Sequence, residues 1–259
     1  MRDMKVVADE IPFAPGFRFR VSGKMSLGLF PSLFTLQVWN LREQDYLRLF
    51  RTKELVVHCR NFCTAWGNVT DVYRQTTPDG TVTTAAFSRG LNLWEAQVSL
   101  TVEPGVSASE TVRRLLAASG TGISLLSFPG RNPVFSRGQA FCGRAADCVN
   151  EVLSAASARG ILVPAGLRVI PENPMPSPLY LTEKDLADAP SFAMGGKRMI
   201  LSMTTADYPP GEELRLTYQG TTITGLILER LTEADTEAGP WSTQLLVEVR
   251  TQEQAAGRP

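Results

Sequence analysis

The hydrophobic pattern of this chain changes period twice. Over roughly the first hundred residues it alternates, as half-buried strands do when successive side chains face opposite ways. Residues 33–39 (LFTLQVW) are rich in β-branched and aromatic side chains and predict a strand. Residues 17–21 alternate more weakly. Residues 55–60 set Leu55, Val57 and Cys59 against Val56, His58 and Arg60. Residues 65–74 and 81–87 flank Pro78-Asp79-Gly80, a hairpin-turn signature, and residues 94–102 predict a further strand. Between the strands, LREQDYLRLF places Leu41, Tyr46, Leu49 and Phe50 at helical spacing.

The middle third is helical in period. Ser107-Ala-Ser-Glu110 matches a capping box, in which hydroxyl and carboxylate cover free N–H groups. The helix it opens runs to about Ser119, with Gly120 as its C-cap and Val112, Leu115 and Leu116 as its apolar face. A second helix is expected from about Gly143 to Arg159, stopped by Gly160, with Ala145, Val149, Val152, Leu153 and Ala156 forming the stripe. Residues 128–138 (FPGRNPVFSRG) read as irregular loop, and residues 162–170 as strand. PENPMPSP, residues 171–178, carries four prolines and predicts an extended, stiff linker. Thr182-Glu-Lys-Asp185 looks like a short capped helix. Alternation then returns over 199–204, 213–218, 222–231 and 242–250, ahead of a frayed tail.

Two of these strand pairs look like copies. Residues 54–71 (ELVVHCRNFCTAWGNVTD) and 213–229 (ELRLTYQGTTITGLILE) each open on Glu-Leu, run into an alternating strand, turn, and carry a glycine, Gly67 or Gly225, inside the second strand. The copies drift by one residue before that glycine. The resulting fold class is α+β and mainly β, with two small antiparallel β-barrel domains and a helical segment between them. The expected division is a first barrel at 1–102, a helical and mixed insert at 103–170, a linker at 171–178, a second barrel at 179–250 and a flexible tail at 251–259.

Composition narrows the function. The 259 residues, 43% of them hydrophobic, support one or two cores. Lys plus Arg and Asp plus Glu both number 26, which argues against a chain whose main task is to grip nucleic acid through a basic face. No apolar run reaches the roughly 18 residues of a membrane span, and the first residues lack the uninterrupted apolar stretch of a signal peptide. The four cysteines, Cys59, Cys63, Cys142 and Cys148, are too sparse for a disulfide scaffold; a reduced, intracellular origin is the simplest reading.

Catalytic chemistry finds little footing. The single histidine, His58, sits in mid-strand, where a sheet-face role outweighs a site role. His58 and Cys59 are adjacent on that strand and should point to opposite faces; no CxxC pair exists, and the Cys142–Cys148 spacing is not that of a zinc finger. There is no phosphate loop, no GxGxxG and no GxSxG elbow. Gly195-Gly196-Lys197 reads as a turn before a strand. Glu183 with Asp185, and Glu233 with Asp235, read as helix-start and turn residues rather than acid/base pairs. Trp39, Trp66, Trp94 and Trp241 lie in or beside predicted strands and read as packing residues. The expectation is no enzyme, no catalytic, cofactor or metal residues, and no cofactor.

The first β unit resembles the N-terminal tube-like domain of phage tail baseplate hub proteins, including late-control-type tail proteins. The matching segments are FTLQVWNL (34–41), ELVVHCRN (54–61), AWGNVTDVYR (65–74), TVTTAAFSRGLNLW (81–94) and SLTVEPGVSASETVRRLLAASG (99–120). The last carries the Gly-x-Ser loop, Gly105 to Ser107, that launches a helix. Gly239-Pro240-Trp241 before the last strand looks like the second barrel of such hubs. The resemblance implies a homotrimer whose six β units form a ring. That ring would match the sixfold tail tube protein on one side and a spike or tip protein on the other. It implies a place in the virion tail after assembly in the host cytoplasm, contact with a tape measure protein, DNA only in passage, and no membrane insertion. The alternative in the same class is a tail tube-initiator or other tail-tip structural protein. A hydrolase without a visible site, and a nucleic-acid-binding barrel lacking basic–aromatic clusters, fit the residues less well.

Overall fold

The computed structural model describes residues 3–14, 16–60, 62–172, 179–204, 208–237, 239 and 241–254. The chain opens with β1 (Met4–Ala8), β2 (Ile11–Pro12), β3 (Phe19–Ser26) and β4 (Ser32–Trp39), then α1 (Glu43–Arg51), β5 (Glu54–Cys59), β6 (Phe62–Thr77) and β7 (Gly80–Arg89). Its middle holds α2 (Leu91–Glu95), β8 (Gln97–Val102), α3 (Ala108–Ala118), β9 (Leu125–Ser127), β10 (Gln139–Arg144), α4 (Ala145–Ala155), β11 (Ala158–Val163) and β12 (Gly166–Pro171). It ends with β13 (Leu179–Thr182), β14 (Ser191–Ala193), β15 (Arg198–Thr204), β16 (Glu213–Tyr218), β17 (Thr221–Asp235) and β18 (Trp241–Gln254). The fold is α+β and mainly β, with large antiparallel sheets, as the alternating pattern predicts.

Two compact units result. One gathers the strands β1–β7 and β13–β18; the other takes residues 26–31 and the elements from α2 to β12. In the first unit a single 13-stranded sheet runs β14-β15-β18-β17-β3-β4-β7-β6-β5-β1-β2, with β16 on β17 and β13 beside β16. Hydrophobic clusters among the described residues of this unit include two. Val21, Phe34, Leu36, Leu55, Val57 and Phe87 belong to one, and Met199, Leu201, Leu214, Ile227, Leu245 and Val247 to the other. Every one of these residues is in phase with the alternation of its strand. α1 has only Leu49 fully buried, so the helix contributes one anchor and leaves its polar face to solvent.

In the second unit α3 lies against α4, β8 pairs with β10, and the β11–β12 hairpin is extended by β9. The Ser107 hydroxyl accepts from the Glu110 N–H at 3.4 Å. The Glu110 carboxylate turns instead to Arg114 and Arg113, at 3.1 and 3.3 Å, so only the first half of the expected capping box is seen.

Several boundaries differ from the sequence expectation. α4 ends at Ala155 rather than near Arg159, because Ser157 adopts φ 51° and turns the chain out of the helix. Gly160 is not the stop. It lies in β11, where an added Cβ would stand 3.0 Å from each of Leu29, Leu153 and Leu167. Residues 162–170, read as one strand, belong to two, turning at Pro164 and Ala165. Trp94 sits in the short helix α2 rather than opening a strand. The last strand continues to Gln254 instead of fraying after Arg250, because Thr221–Thr224 supply partners for residues 251–254. The alternation does not mark strands β1, β2, β9, β10, β13 and β14. Linker residues 173–178 and tail residues 255–259 lie outside the described residues.

Candidate assembly surface

The residues singled out for chemistry are occupied structurally. His58 is half-buried on β5 while Cys59 points into the core. Burial, reinforced by the charge of Lys5, pulls the imidazole pKa below its ordinary value. Cys63 lies across the sheet from His58, but no third ligand joins them among the described residues. Asp185 accepts from both the Thr182 N–H and hydroxyl at 2.8 Å, and Glu183 accepts from the Gln219 N–H. These two carboxylates cap a turn. Gly195 and Gly196 form the left-handed turn between β14 and β15.

What the structure brings together is the doubled strand pair. Leu55 of β5 lies opposite Gly67 of β6, and Leu214 of β16 lies opposite Gly225 of β17. Both glycines are there because the next strand comes too close for a side chain. A Cβ on Gly67 would stand 2.4 Å from the Ser88 carbonyl, and one on Gly225 would stand 2.5 Å from Val247 Cγ1 and 2.7 Å from the Glu248 oxygen. Each strand then carries a β-bulge at the same place, three residues past its glycine: Thr70 is the extra residue in β6 and Leu228 in β17. Bulges re-aim a strand and are positional devices rather than accidents. The correspondence continues outward. Val69 faces Phe87 and Ile227 faces Val247. Phe87 faces Phe34 and Val247 faces Met199. Phe34 faces Gly23 and Met199 faces Phe192. The strand orders β5-β6-β7-β4-β3 and β16-β17-β18-β15-β14 are therefore the same.

The two β units meet along β17 and β3. At one end the Thr236 N–H donates to the Phe19 carbonyl and the Phe19 N–H to the Thr236 hydroxyl, both at 2.9 Å. At the other, Lys24 Nζ is 2.7 Å from Glu229. Ascending residues of β3 thus meet descending residues of β17, an antiparallel seam. Arg18 Nη2 sits 3.0 Å from the Asp235 carboxylate, whose side chain is 1% exposed, and the guanidinium stacks 4.1 Å above the Trp39 ring. Burial alone would push the Asp235 pKa up. The Arg18 hydrogen bond, the Glu237 N–H and the charges of Arg18 and Arg20 outweigh it and hold the carboxyl below its ordinary value. Arg230, 1% exposed, donates to the Thr64 carbonyl at 2.6 Å and so ties β17 to β6. Arg89, equally buried, donates to the Ser32 hydroxyl at 3.3 Å. Its pKa is pushed down to about 9, first by burial and then by the charge of Arg230.

Sequence reasoning missed this seam. One signal was present: Arg230 stands in phase with the buried Thr232 and Ala234, an unusual place for a charge unless it bridges to another element.

The fold is similar to that of solved phage tail proteins. A tail protein from Neisseria meningitidis MC58 is similar at TM-score 0.70 and 9% identity, covering 95% of each chain. The 43 kDa tail protein of prophage MuSo2 from Shewanella oneidensis is similar at TM-score 0.70 and 9% identity, covering 95% of this chain and 96% of that one. An E. coli component of the type VI secretion system, itself described as structurally similar to T4 bacteriophage tail proteins, matches at TM-score 0.65 and 11% identity, covering 98% of this chain and 79% of its own. No protein-family model matches the sequence, and no curated protein matches it. The likeness is therefore one of fold.

Proposed function

We propose that this chain is the structural hub of a phage or phage-like tail baseplate. Three copies form a ring of six β units, which joins the sixfold tail tube to a threefold spike or tip and leaves a channel for DNA. The observation that carries this reading is the internal equivalence of the two β units, down to the glycine, the bulge and the strand order. One chain that presents the same unit twice offers sixfold contacts from three copies, whereas its remaining residues can obey only threefold symmetry. A closed ring also disposes of open sheet edges, which otherwise invite uncontrolled pairing. The role is structural rather than catalytic, because the residues with chemical potential cap turns, pair across the sheet or pack the core. The partners are further copies of this chain, the tail tube protein, the spike or tip protein and the tape measure protein, with the mature location in the virion tail.

Native mass spectrometry of the full chain, alone and with its tube and tip partners, tests the proposal. Trimers, alone or on the partner, are expected. A stable monomer that binds no tube protein overturns it. Imaging of the assembled particle should place the chain on the tail axis.

A further inference from the structure

We infer that the open edge of β6 receives the β14 edge of a second copy of this chain, in the register of the internal seam. The inference rests on the hub reading and specifies the surface through which its copies join.

The two strands with matching glycines and bulges differ in what lies beside their second halves. Residues 229–235 of β17 have β18 on one side and β3 on the other. The equivalent stretch of β6, residues 71–77, pairs with β7 alone among the described residues, since its pairing with β5 ends at Asn68. The exposure follows. Thr232, Ala234 and Asp235 are buried, while of their counterparts Thr76 is exposed and Thr77 half-buried, and Arg74 is covered in part by Glu43 and Tyr46 of α1. The complementary edge is at the other extreme of the sheet. β14 is the counterpart of β3, pairs with β15 alone among the described residues, and is exposed at all three residues. Phe192 lies opposite the fully buried Met199 and so faces the core side, yet it is 45% exposed. A large apolar side chain in that position lacks one covering strand. The chain therefore carries, once each, the two halves of a seam it has already made internally between β17 and β3.

The register can be carried across. Phe19 lies opposite Thr236 in the internal seam, which sets Ser22 against Glu233. By the strand correspondence Ser22 maps to Ser191 and Glu233 to Gln75. In the second seam Ser191 of one copy thus falls opposite Gln75 of the next, with Phe192 laid over the Arg74 side of β6. Such edge-to-edge addition draws affinity from main-chain hydrogen bonds and specificity from alternate side chains. Because the two edges differ, the contact is head-to-tail and must close into a ring or run on as a filament.

The test is a full-length Gln75→Cys, Ser191→Cys double variant in a Cys142→Ser background, oxidised and run without reductant beside each single variant. The expected result is disulfide-linked dimers and trimers in the double variant only, with nothing larger. Native trimers that form no cross-link would overturn this seam while leaving the trimeric hub standing. A cross-linked ladder beyond three would keep the seam and overturn the trimeric hub. Monomers without cross-links would overturn the seam. A second variant, Phe192→Glu, guards against failure of the cysteine pair. It changes an exposed side chain, so the circular dichroism spectrum should match the parent while trimers are lost; unchanged trimers would overturn the seam.

Discussion

β6 and β17 are the same device in two settings. Each is a long strand that pairs with a short one, crosses at a glycine, bulges three residues later and continues along a new neighbour. In β17 the continuation buries Arg230, Thr232 and Asp235; at the equivalent positions β6 holds the buried Val72 and the half-buried Arg74 and Thr77. The backbone plan is common to both, and the side chains have diverged to suit what lies alongside. Pairing geometry is set by glycine and bulge placement, whereas identity along the strand is set by burial, so two copies can keep the plan while losing almost all likeness in sequence.

The sharpest way to break the comparison is to fill the crossings. Gly67→Ala forces a Cβ to within 2.4 Å of backbone atoms that cannot rotate away. It should cost about 3 kcal/mol or more, as overpacking against rigid structure does. Gly225→Ala meets a Val247 methyl first and should cost about 2 kcal/mol by the same rule. Urea unfolding of both variants checks the order, and equal, negligible effects would dissolve the equivalence of the crossings.

The seam itself comes next. Asp235→Asn removes one partner of a charge-assisted pair that is buried on the carboxylate side and should cost about 2–3 kcal/mol. The folded-state pKa of Asp235 is depressed, so its contribution is present above the unfolded-state value and lost as pH falls through the folded one. The parent should therefore lose stability on acidification more steeply than the variant. A difference between them that stays constant across that range would remove the ion pair from the account.

A smaller effect of opposite sign is expected at Arg89. Its folded pKa lies well below the ordinary arginine value, near 9, so the charged guanidinium is disfavoured by folding at neutral pH. Replacing it with methionine should stabilise the protein by about 1 kcal/mol, as apolar substitutes for buried charges often do. That advantage should shrink as pH rises above 9, because the parent's arginine can then shed its proton in the folded state. Thermal unfolding of parent and variant at matched alkaline pH reads this directly. Smallest of all, Glu229→Gln breaks a pair whose lysine is half exposed and should change stability by no more than about 0.5 kcal/mol.

How much of this the sequence carried depends on the range of the interaction. Residues 33–39 and 55–60 reveal their strands because alternation is local, and Pro78-Asp79-Gly80 reveals its hairpin because turn chemistry is local too. The two crossing glycines are visible as a repeated spacing, although their cause, a neighbouring strand 2.4–2.5 Å from where a Cβ would stand, is not. Strands β1 and β14 leave little local signal because they are short and only half alternate; they exist because β5 and β15 offer them an edge. Ser157 ended a helix before the glycine that looked like its stop, since a left-handed residue can be imposed by the following hairpin. The seam contacts, Arg18 with Asp235 and Arg230 with Thr64, join residues 217 and 166 positions apart, and no local pattern reports on such distances.

The β17–β3 seam also changes the order of the assembly reaction. Its two sides belong to one covalent chain, so it forms during folding at an effective concentration set by the connecting segment, not by how many molecules share the solution. In the proposed ring, half of the joints would be made this way before any copy meets another. Diluting the protein could open only the remaining joints, and each subunit would arrive with one sixfold contact already in its final geometry, as a template for the next.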